Sequence, residues 1–331
     1  MEHTSVENFA GMKIAGYEII RELGRGNNGV VCLARQEIMD REVACKILLP
    51  ELAREPGYVD SFLKEARLAA RLDHPNIVQA IEVGSCDDYY YFVMEYVNGC
   101  TLDDVRVFYP EKMSLEFITH IFTQLASALN YAWQKFQMTH GDIKPGNLMI
   151  RQEDNQVKLA DLGLAHIKGT EHSDEIMATP LYAAPEIIRG ELLDNGVKSD
   201  LYSFGIMFYE LLAGCPPFVG SIEEILDCHL SVEPESILNL NPELDVSYAN
   251  FIHRLIDKNP AKRPNDWQEV LDFLLVKEEA LKAKKMAARN NKLVVIDDKN
   301  KKHTTSNFVL IGFVIILFLY AIYQFIKLYR S

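Results

Sequence analysis

The sequence predicts an α+β chain of two lobes, a small β-rich lobe followed by a larger, mainly helical one, and one C-terminal transmembrane helix. Three observations predict this. Residues 17–97 hold strand-like runs (YEIIREL, GVVCLAR, EVACKILL, YYYFVMEYV) around one helical stretch, YVDSFLKEARLAARL. Residues 102–276 are mostly helical in pattern. Residues 308–326, FVLIGFVIILFLYAIYQFI, run nineteen positions without a charge.

The bulk properties admit one large two-lobed domain or two small domains in 331 residues, with an ordinary 48% apolar and 24% charged composition. Net charge is −13, yet residues 277–306 carry nine Lys/Arg against four Asp/Glu. An acidic body with a basic tail argues against a nucleic-acid binder, which shows a basic face. It fits a domain held at an anionic bilayer by a basic collar. Six cysteines (32, 45, 86, 100, 215, 228) form no CxxC pair, and no secretory leader is read ahead of them. They are expected to be reduced cytosolic thiols.

Residues 1–16 are an N-terminal extension, and 17–97 are the small lobe. Gly24-Arg25-Gly26-Asn27-Asn28-Gly29-Val30-Val31 gives GxGxxGxV. Alone the string is weak, since dinucleotide-binding folds share it when a helix follows. Here a strand follows, so the glycines sit in a hairpin whose backbone N–H groups can close on phosphates. Seventeen residues after Gly29, Lys46 ends the apolar strand VACK. A charge there needs a partner, and Glu65 on the next helix is the natural one. The bland alternative, an incidental surface pair, weakens beside the glycine loop.

The large lobe, 98–276, contains HGDIKPGN at 140–147 and, after the strand-like VKLA at 157–160, DLG at 161–163. Asp142 is followed by Lys144 two residues on and Asn147 five residues on, and Asp161 comes after the strand. A carboxylate where a hydroxyl would arrive, with a carboxamide and a second carboxylate for metal, is equipment for phosphoryl transfer from a metal-bound nucleotide.

Together these motifs resemble the eukaryotic-type (Hanks-type) Ser/Thr protein kinase family, over residues 17 to about 275 and in the family's order. The resemblance implies the two-lobed kinase fold, ATP as phosphoryl donor, Mg2+ with Mn2+ as the alternative, and proteins bearing Ser or Thr as acceptors. It implies that Gly24, Gly26 and Gly29 cover the phosphates and that Lys46, fixed by Glu65, holds them. Leu23, Val31, Ala44 and Met149 would line the adenine pocket, with Met94 as gatekeeper and the backbone of Glu95 and Val97 meeting the adenine edge. Asp142 would be the catalytic base, Lys144 would neutralise the transferring phosphoryl, and Asn147 and Asp161 would hold the metal. Leu162 stands where the family usually has Phe. Thr179, in TPLYAAPE, would pack on Asp142 and Lys144 in the protein-substrate platform. Glu186, Arg263 and Asp200 would be structural, the first two as a buried ion pair and the third bracing the catalytic loop.

Gly141 departs from the family, which usually places Arg between the His and the Asp to bind an activation-segment phosphate. Without that guanidinium a phosphate at Thr170 or Ser173 lacks its usual partner, and Glu171, Asp174 and Glu175 would repel it. Activity is therefore expected to be independent of activation-segment phosphorylation.

Residues 277–307 form a basic juxtamembrane linker, free of Pro and Gly and helical in pattern, with Glu278 four residues before Lys282. It is either a solvated helix or a contact for anionic lipid. A helix over 308–326 would be ~28 Å long, close to the hydrocarbon thickness of a bilayer. Positive charge concentrated before it keeps residues 1–307 in the cytoplasm, with 327–331 as a short tail beyond. A bacterial inner membrane is favoured. Confinement there raises the effective concentration of membrane partners, so self-association and autophosphorylation in trans are expected. Two rivals remain: a pseudokinase or nucleotide-binding scaffold on the same fold, and a small-molecule kinase, which TPLYAAPE disfavours.

Overall fold

The computed structural model describes residues 9–26, 29–161, 166–167, 179–191 and 196–288. The chain divides into two units, residues 1–275 and 276–331.

In the first unit a six-stranded antiparallel sheet leads. Its strands are β1 (Lys13–Ile14), β2 (Tyr17–Gly26), β3 (Gly29–Gln36), β4 (Arg41–Leu48), β5 (Ala80–Cys86) and β6 (Tyr89–Glu95), in the order β1-β2-β3-β4-β6-β5. Residues 9–16 therefore belong to the small lobe. Lys13 pairs with Glu18 across β1 and β2, and Phe9 and Ile14 are buried with Tyr17 and Ile19. A two-residue strand has too short a period to announce itself in sequence.

Between β2 and β3, Gly26 pairs with Gly29. Gly29 lies at φ +148°, and a Cβ there would stand 2.2 Å from the Ile47 carbonyl oxygen. Only glycine lets the hairpin settle this closely on β4.

Two helices interrupt the sheet, α1 (Pro50–Ala53) and α2 (Tyr58–Ala69). The buried residues of α2 are Phe62, Glu65, Ala66, Leu68 and Ala69, three and four apart, so one face turns inward. Phe62, Ala66 and Ala69 share a cluster with Phe92 of the sheet and with Ala128, Ala132 and Met138 of the large lobe. Glu65, on the same face, is thereby carried to the interior.

The large lobe opens with β7 (Gly99–Thr101) and α3 (Leu102–Phe108), where Thr101 and Asp104 form a reciprocal capping box. Helix α4 (Leu115–Phe136) buries a stripe from Ile118 to Trp133. Then come β8 (Met138–Thr139), β9 (Leu148–Arg151), β10 (Val157–Leu159), β11 (His166–Ile167), α5 (Pro185–Ile188), α6 (Val197–Ala213), α7 (Ile222–Ser231), α8 (Ile237–Leu240) and α9 (Val246–Leu255). Residues 267–275 are helical and close the unit. Helix α6 is buried on nearly every side. Phe208 stacks on Phe122 of α4 at 4.2 Å, and Phe204 meets Trp267 edge-on at 5.3 Å.

Of the five short strands in this lobe the sequence marks β10, within the strand-like VKLA, and its helical pattern hides the other four. β10-β9-β7 form one small sheet and β11-β8 another. The β9–β10 hairpin matters most. Its register pairs Leu148 with Leu159, and Ala160 N–H donates to Asn147 O at 2.9 Å. The residue before β9 and the residues after β10 are thus brought side by side, and these are Asn147 and Asp161.

In the second unit residues 276–288 are helical, with Glu278 and Lys282 paired at 2.9 Å as their spacing indicates. Among the described residues no helix is long and apolar enough to cross a membrane. The anchor expected at 308–326 lies outside them, as do Leu162, Thr170 and Ser173.

Candidate active site

A cleft of about 960 Å³ opens between the sheet and the large lobe. Leu23, Gly24, Gly26, Gly29, Val31, Ala44, Lys46, Glu65, Met94, Glu95, Val97 and Met149 all line it, as do Asp142, Lys144, Asp161 and Thr179. The sequence-predicted nucleotide residues and the predicted catalytic residues therefore share one space.

On the small-lobe wall, Lys46 Nζ lies 2.6 and 2.7 Å from the two Glu65 oxygens. Burial pushes the Glu65 carboxyl up, and the Lys46 charge opposes it. Asp161 Oδ1 is 3.9 Å from the same ammonium, so Lys46 faces a carboxylate from each lobe. Glu95 in the rear wall pairs with Lys158 of β10 at 2.5 Å. That link ties β6 to the strand leading into Asp161, and the sequence had not suggested it.

On the floor, Asp142 is held from three directions. Lys144 Nζ is 2.6 Å from Oδ2, Asn147 Nδ2 donates to Oδ2 at 3.1 Å, and Thr179 Oγ1 donates to Oδ1 at 2.6 Å. Lys144 also donates to Thr179 Oγ1 at 3.0 Å, closing a ring. Burial pushes the Asp142 carboxyl up, but the donors from Lys144, Thr179 and Asn147 outweigh it, and the group sits below the usual range. A carboxylate offers about four lone-pair sites, and these donors occupy three of them.

The loop backbone is held from below. Asp200 on α6 accepts from His140 N–H at 2.7 Å and Gly141 N–H at 2.9 Å. Its burial pushes the carboxyl up while those same donors pull it down. His140 is buried and bridges the two halves of the site. Its Nδ1 accepts from Asp142 N–H at 3.2 Å, and its Nε2 meets the Ala160 carbonyl at 3.2 Å. The carbonyl requires a protonated Nε2, which fixes the tautomer.

Gly141 has φ +82°. A left-handed backbone costs an L-residue strain, so the position suits glycine on conformational grounds as well. Asp161 adopts φ +59°, an uncommon value that Asp tolerates better than most residues.

Glu186 and Arg263 form a bidentate pair at 2.6 and 2.9 Å, with both side chains fully buried. Ser199 Oγ donates to Glu186, while Arg263 also donates to the carbonyls of Asp257 and Lys198. The platform turn Pro180–Tyr182 is fastened separately: Tyr182 donates to Glu210 at 2.8 Å, and Glu210 in turn pairs with Arg106 of α3. Nothing in the spacing of Arg106, Tyr182 and Glu210 revealed that network, since its members lie up to 104 residues apart.

Asn147 and Asp161 fit a divalent cation carried by phosphate. The Asn147 amide nitrogen is committed to the Asp142 carbonyl and carboxylate, so its oxygen is the atom available as ligand. Among the described residues no group of three or more His, Cys, Asp or Glu could hold a metal on its own. Two oxygen donors completed by phosphate is how Mg2+ is commonly held in nucleotide sites.

The protein kinase domain family matches residues 17–275. The chain is 38% identical over 258 residues to the serine/threonine-protein kinase PrkC of Bacillus subtilis, covering 76% of this chain and 39% of that one. It is 34% identical over 263 residues to PknJ of Mycobacterium tuberculosis, covering 77% of this chain and 44% of that one. The chain thus spans about two fifths of the length of these relatives. A double mutant of the PknI kinase domain of Mycobacterium tuberculosis superposes with TM-score 0.62 at 26% identity, covering 81% of this chain and 98% of that one. With the match spanning both walls of the cleft and the whole platform, this chain belongs to the protein kinase family.

Proposed function

We propose that this protein is an ATP-dependent Ser/Thr protein kinase, tethered to a membrane and transferring the γ-phosphoryl group to Ser or Thr hydroxyls of proteins. The Asp142 carboxylate carries this reading. It is ionised, gripped by Lys144, Asn147 and Thr179, and keeps room for one more donor, a substrate hydroxyl.

In the proposed reaction the acceptor oxygen forms a bond to the γ-phosphorus as the bond from that phosphorus to the β-bridging oxygen breaks, releasing ADP. Asp142 accepts the hydroxyl proton. Lys144, beside it, offsets charge on the transferring group, and Lys46, fixed by Glu65, positions the phosphates. The backbone of Gly24, Gly26 and Gly29 closes over them. When bound through Asn147 and Asp161, a divalent cation would supply charge neutralisation on the phosphate oxygens.

The membrane tether rests on sequence alone, on the charge-free run 308–326 behind a basic linker. This reading places the kinase domain in the cytoplasm, with a bacterial inner membrane favoured. Detergent extraction distinguishes it: the full chain should sediment with membranes, and a chain ending at 307 should not. Independence from activation-segment phosphorylation is supported by Gly141, which offers no guanidinium to a phosphate. The double substitution of Thr170 and Ser173 by Ala should leave initial rates within a few-fold.

The deciding assay compares wild type with Asp161→Asn and Asp142→Asn for transfer of labelled phosphate to casein. Loss in both variants supports the kinase. Absence of any Asp161-dependent transfer in wild type would favour the scaffold reading.

A further inference from the structure

The platform turn Pro180–Tyr182 is anchored at three points. Thr179, just before it, bonds to Asp142; Tyr182 bonds to Glu210 through its hydroxyl and to Ser203 Oγ through its carbonyl, at 2.7 Å. The third point is the Leu181 carbonyl, which lies 3.2 Å from His229 Nε2 on α7. The Leu181 side chain is left 39% exposed, two residues after the Thr179 that bonds Asp142.

His229 serves none of the roles assigned so far, yet it is 1% exposed and fully engaged. Its Nδ1 is 2.8 Å from the Tyr202 hydroxyl, and Phe218 meets the ring edge-on at 5.0 Å. Lys258 donates to the same Tyr202 oxygen at 3.3 Å and to the Cys228 carbonyl at 3.2 Å.

The direction of every bond in this chain is determined. A carbonyl can only accept, so His229 Nε2 carries the proton. A neutral ring then leaves Nδ1 as acceptor, so Tyr202 donates to it, and the Tyr202 oxygen receives the Lys258 proton. Burial holds His229 neutral, pulling it down to about 4, with the nearby Lys258 charge acting the same way. A buried, neutral, oriented N–H held between the Tyr202 hydroxyl and the Leu181 carbonyl is a costly device merely to fill space, where Phe or Leu would suffice.

We propose that His229 is a positioning residue for the protein acceptor: through the Leu181 carbonyl it fixes the exposed Leu181 side chain, against which an apolar residue flanking the reacting hydroxyl packs. The proposal rests on the kinase reading above. Tyr202 orients the ring, and Lys258 orients Tyr202. The same Tyr202 ring lies under the Arg263 guanidinium at 4.8 Å, so the turn is hooked to the framework that holds the Glu186–Arg263 pair. Helix α7 thereby acts on acceptor binding without touching nucleotide.

The test uses the full chain in detergent, with casein as acceptor and wild type, His229→Phe, His229→Gln and Tyr202→Phe compared. Phe keeps the bulk and loses the donor; Gln keeps an N–H that can reach the carbonyl. His229→Phe should raise KM for casein about tenfold, the size of one lost hydrogen bond, with kcat reduced far less. His229→Gln should recover most of that loss, Tyr202→Phe should fall between, and KM for ATP should stay near wild type in all three. A casein KM unchanged in His229→Phe overturns the proposal. So does an equal loss in the Phe and Gln variants, or a parallel rise in KM for ATP. If His229→Phe does not fold, the order of His229→Gln and Tyr202→Phe decides by the same criteria. A wild type that transfers no phosphate to casein defeats the kinase reading instead, which separates the two failures.

Discussion

Thr179 Oγ1 donates to Asp142 Oδ1 at 2.6 Å across 37 residues of sequence, so the turn proposed to hold the acceptor and the carboxylate proposed as its base are one hydrogen-bonded unit. Thr179→Val removes that donor and keeps the shape. Because burial still pushes Asp142 up, loss of one of its stabilising donors raises its pKa. The acid limb of the kcat/KM profile should therefore move to higher pH, and kcat at pH 7 should fall about ten- to hundredfold. Steady-state kinetics between pH 5 and 8 would check both.

Lys46 and Glu65 give a second prediction. Glu65→Gln keeps an acceptor oxygen for Lys46 but removes the negative charge 2.6 Å from its ammonium, leaving the Asp161 carboxylate at 3.9 Å to face it. The lysine is then free to leave its phosphate-facing position, and KM for ATP should rise about tenfold or more, with a smaller loss of kcat. Titration with a fluorescent ATP analogue measures the binding part directly.

For the Glu186–Arg263 pair the expected effect is on stability. Both partners are fully buried, and Arg263→Met strands the carboxylate, a loss of about 3–5 kcal/mol. In a domain of this size that lowers the unfolding midpoint by roughly ten degrees or more. Calorimetry on the full chain reads it, and the double variant Glu186→Leu with Arg263→Met should be less destabilised than Arg263→Met alone.

Gly141→Arg would restore the guanidinium usual in the family, but on a backbone at φ +82°. A non-glycine residue held there costs about 1–3 kcal/mol. The variant should unfold at lower temperature than wild type, and its activity should not become dependent on phosphate in the activation segment. Phosphatase treatment before assay tests the second half.

His229 also predicts an acid-side stability profile. Its ordinary value is 6.5 and burial lowers it to about 4. Between these values the unfolded chain binds a proton that the folded chain refuses, so stability falls as pH drops from about 6.5 towards 4. Urea midpoints should fall more steeply from pH 7 to pH 5 in wild type than in His229→Gln, which has nothing to titrate at that position.

The cleft was legible because its residues carry chemistry at fixed local spacings. Asp142, Lys144 and Asn147 sit in one loop, and Lys46 follows the glycine hairpin by one strand. The Lys46–Glu65 pair could be guessed because a charge on an apolar strand demands a partner and the next helix offered one. No such local demand pointed to Lys158–Glu95, Arg106–Glu210 or Tyr202–His229. Each joins residues far apart in sequence, and each member taken alone reads as an ordinary polar side chain. Of the short strands β7 to β11, β10 shows in VKLA, and β7, β8, β9 and β11 were hidden for a different reason. Two to four residues are too few to show a period of two, and their pairing comes from the surrounding helices. In sequence Gly141 marks the absence of an arginine; its positive φ adds a conformational reason that composition cannot show.

Glu186 and Arg263 stand 77 residues apart, and Arg263 lies close to the end of the catalytic domain. During synthesis the small lobe, the glycine hairpin and the catalytic loop all leave the ribosome well before Arg263 does. Until then Glu186 has no guanidinium to pair with. The order of residues along the chain is therefore also a clock: every residue that lines the cleft is made before the Glu186–Arg263 pair can close.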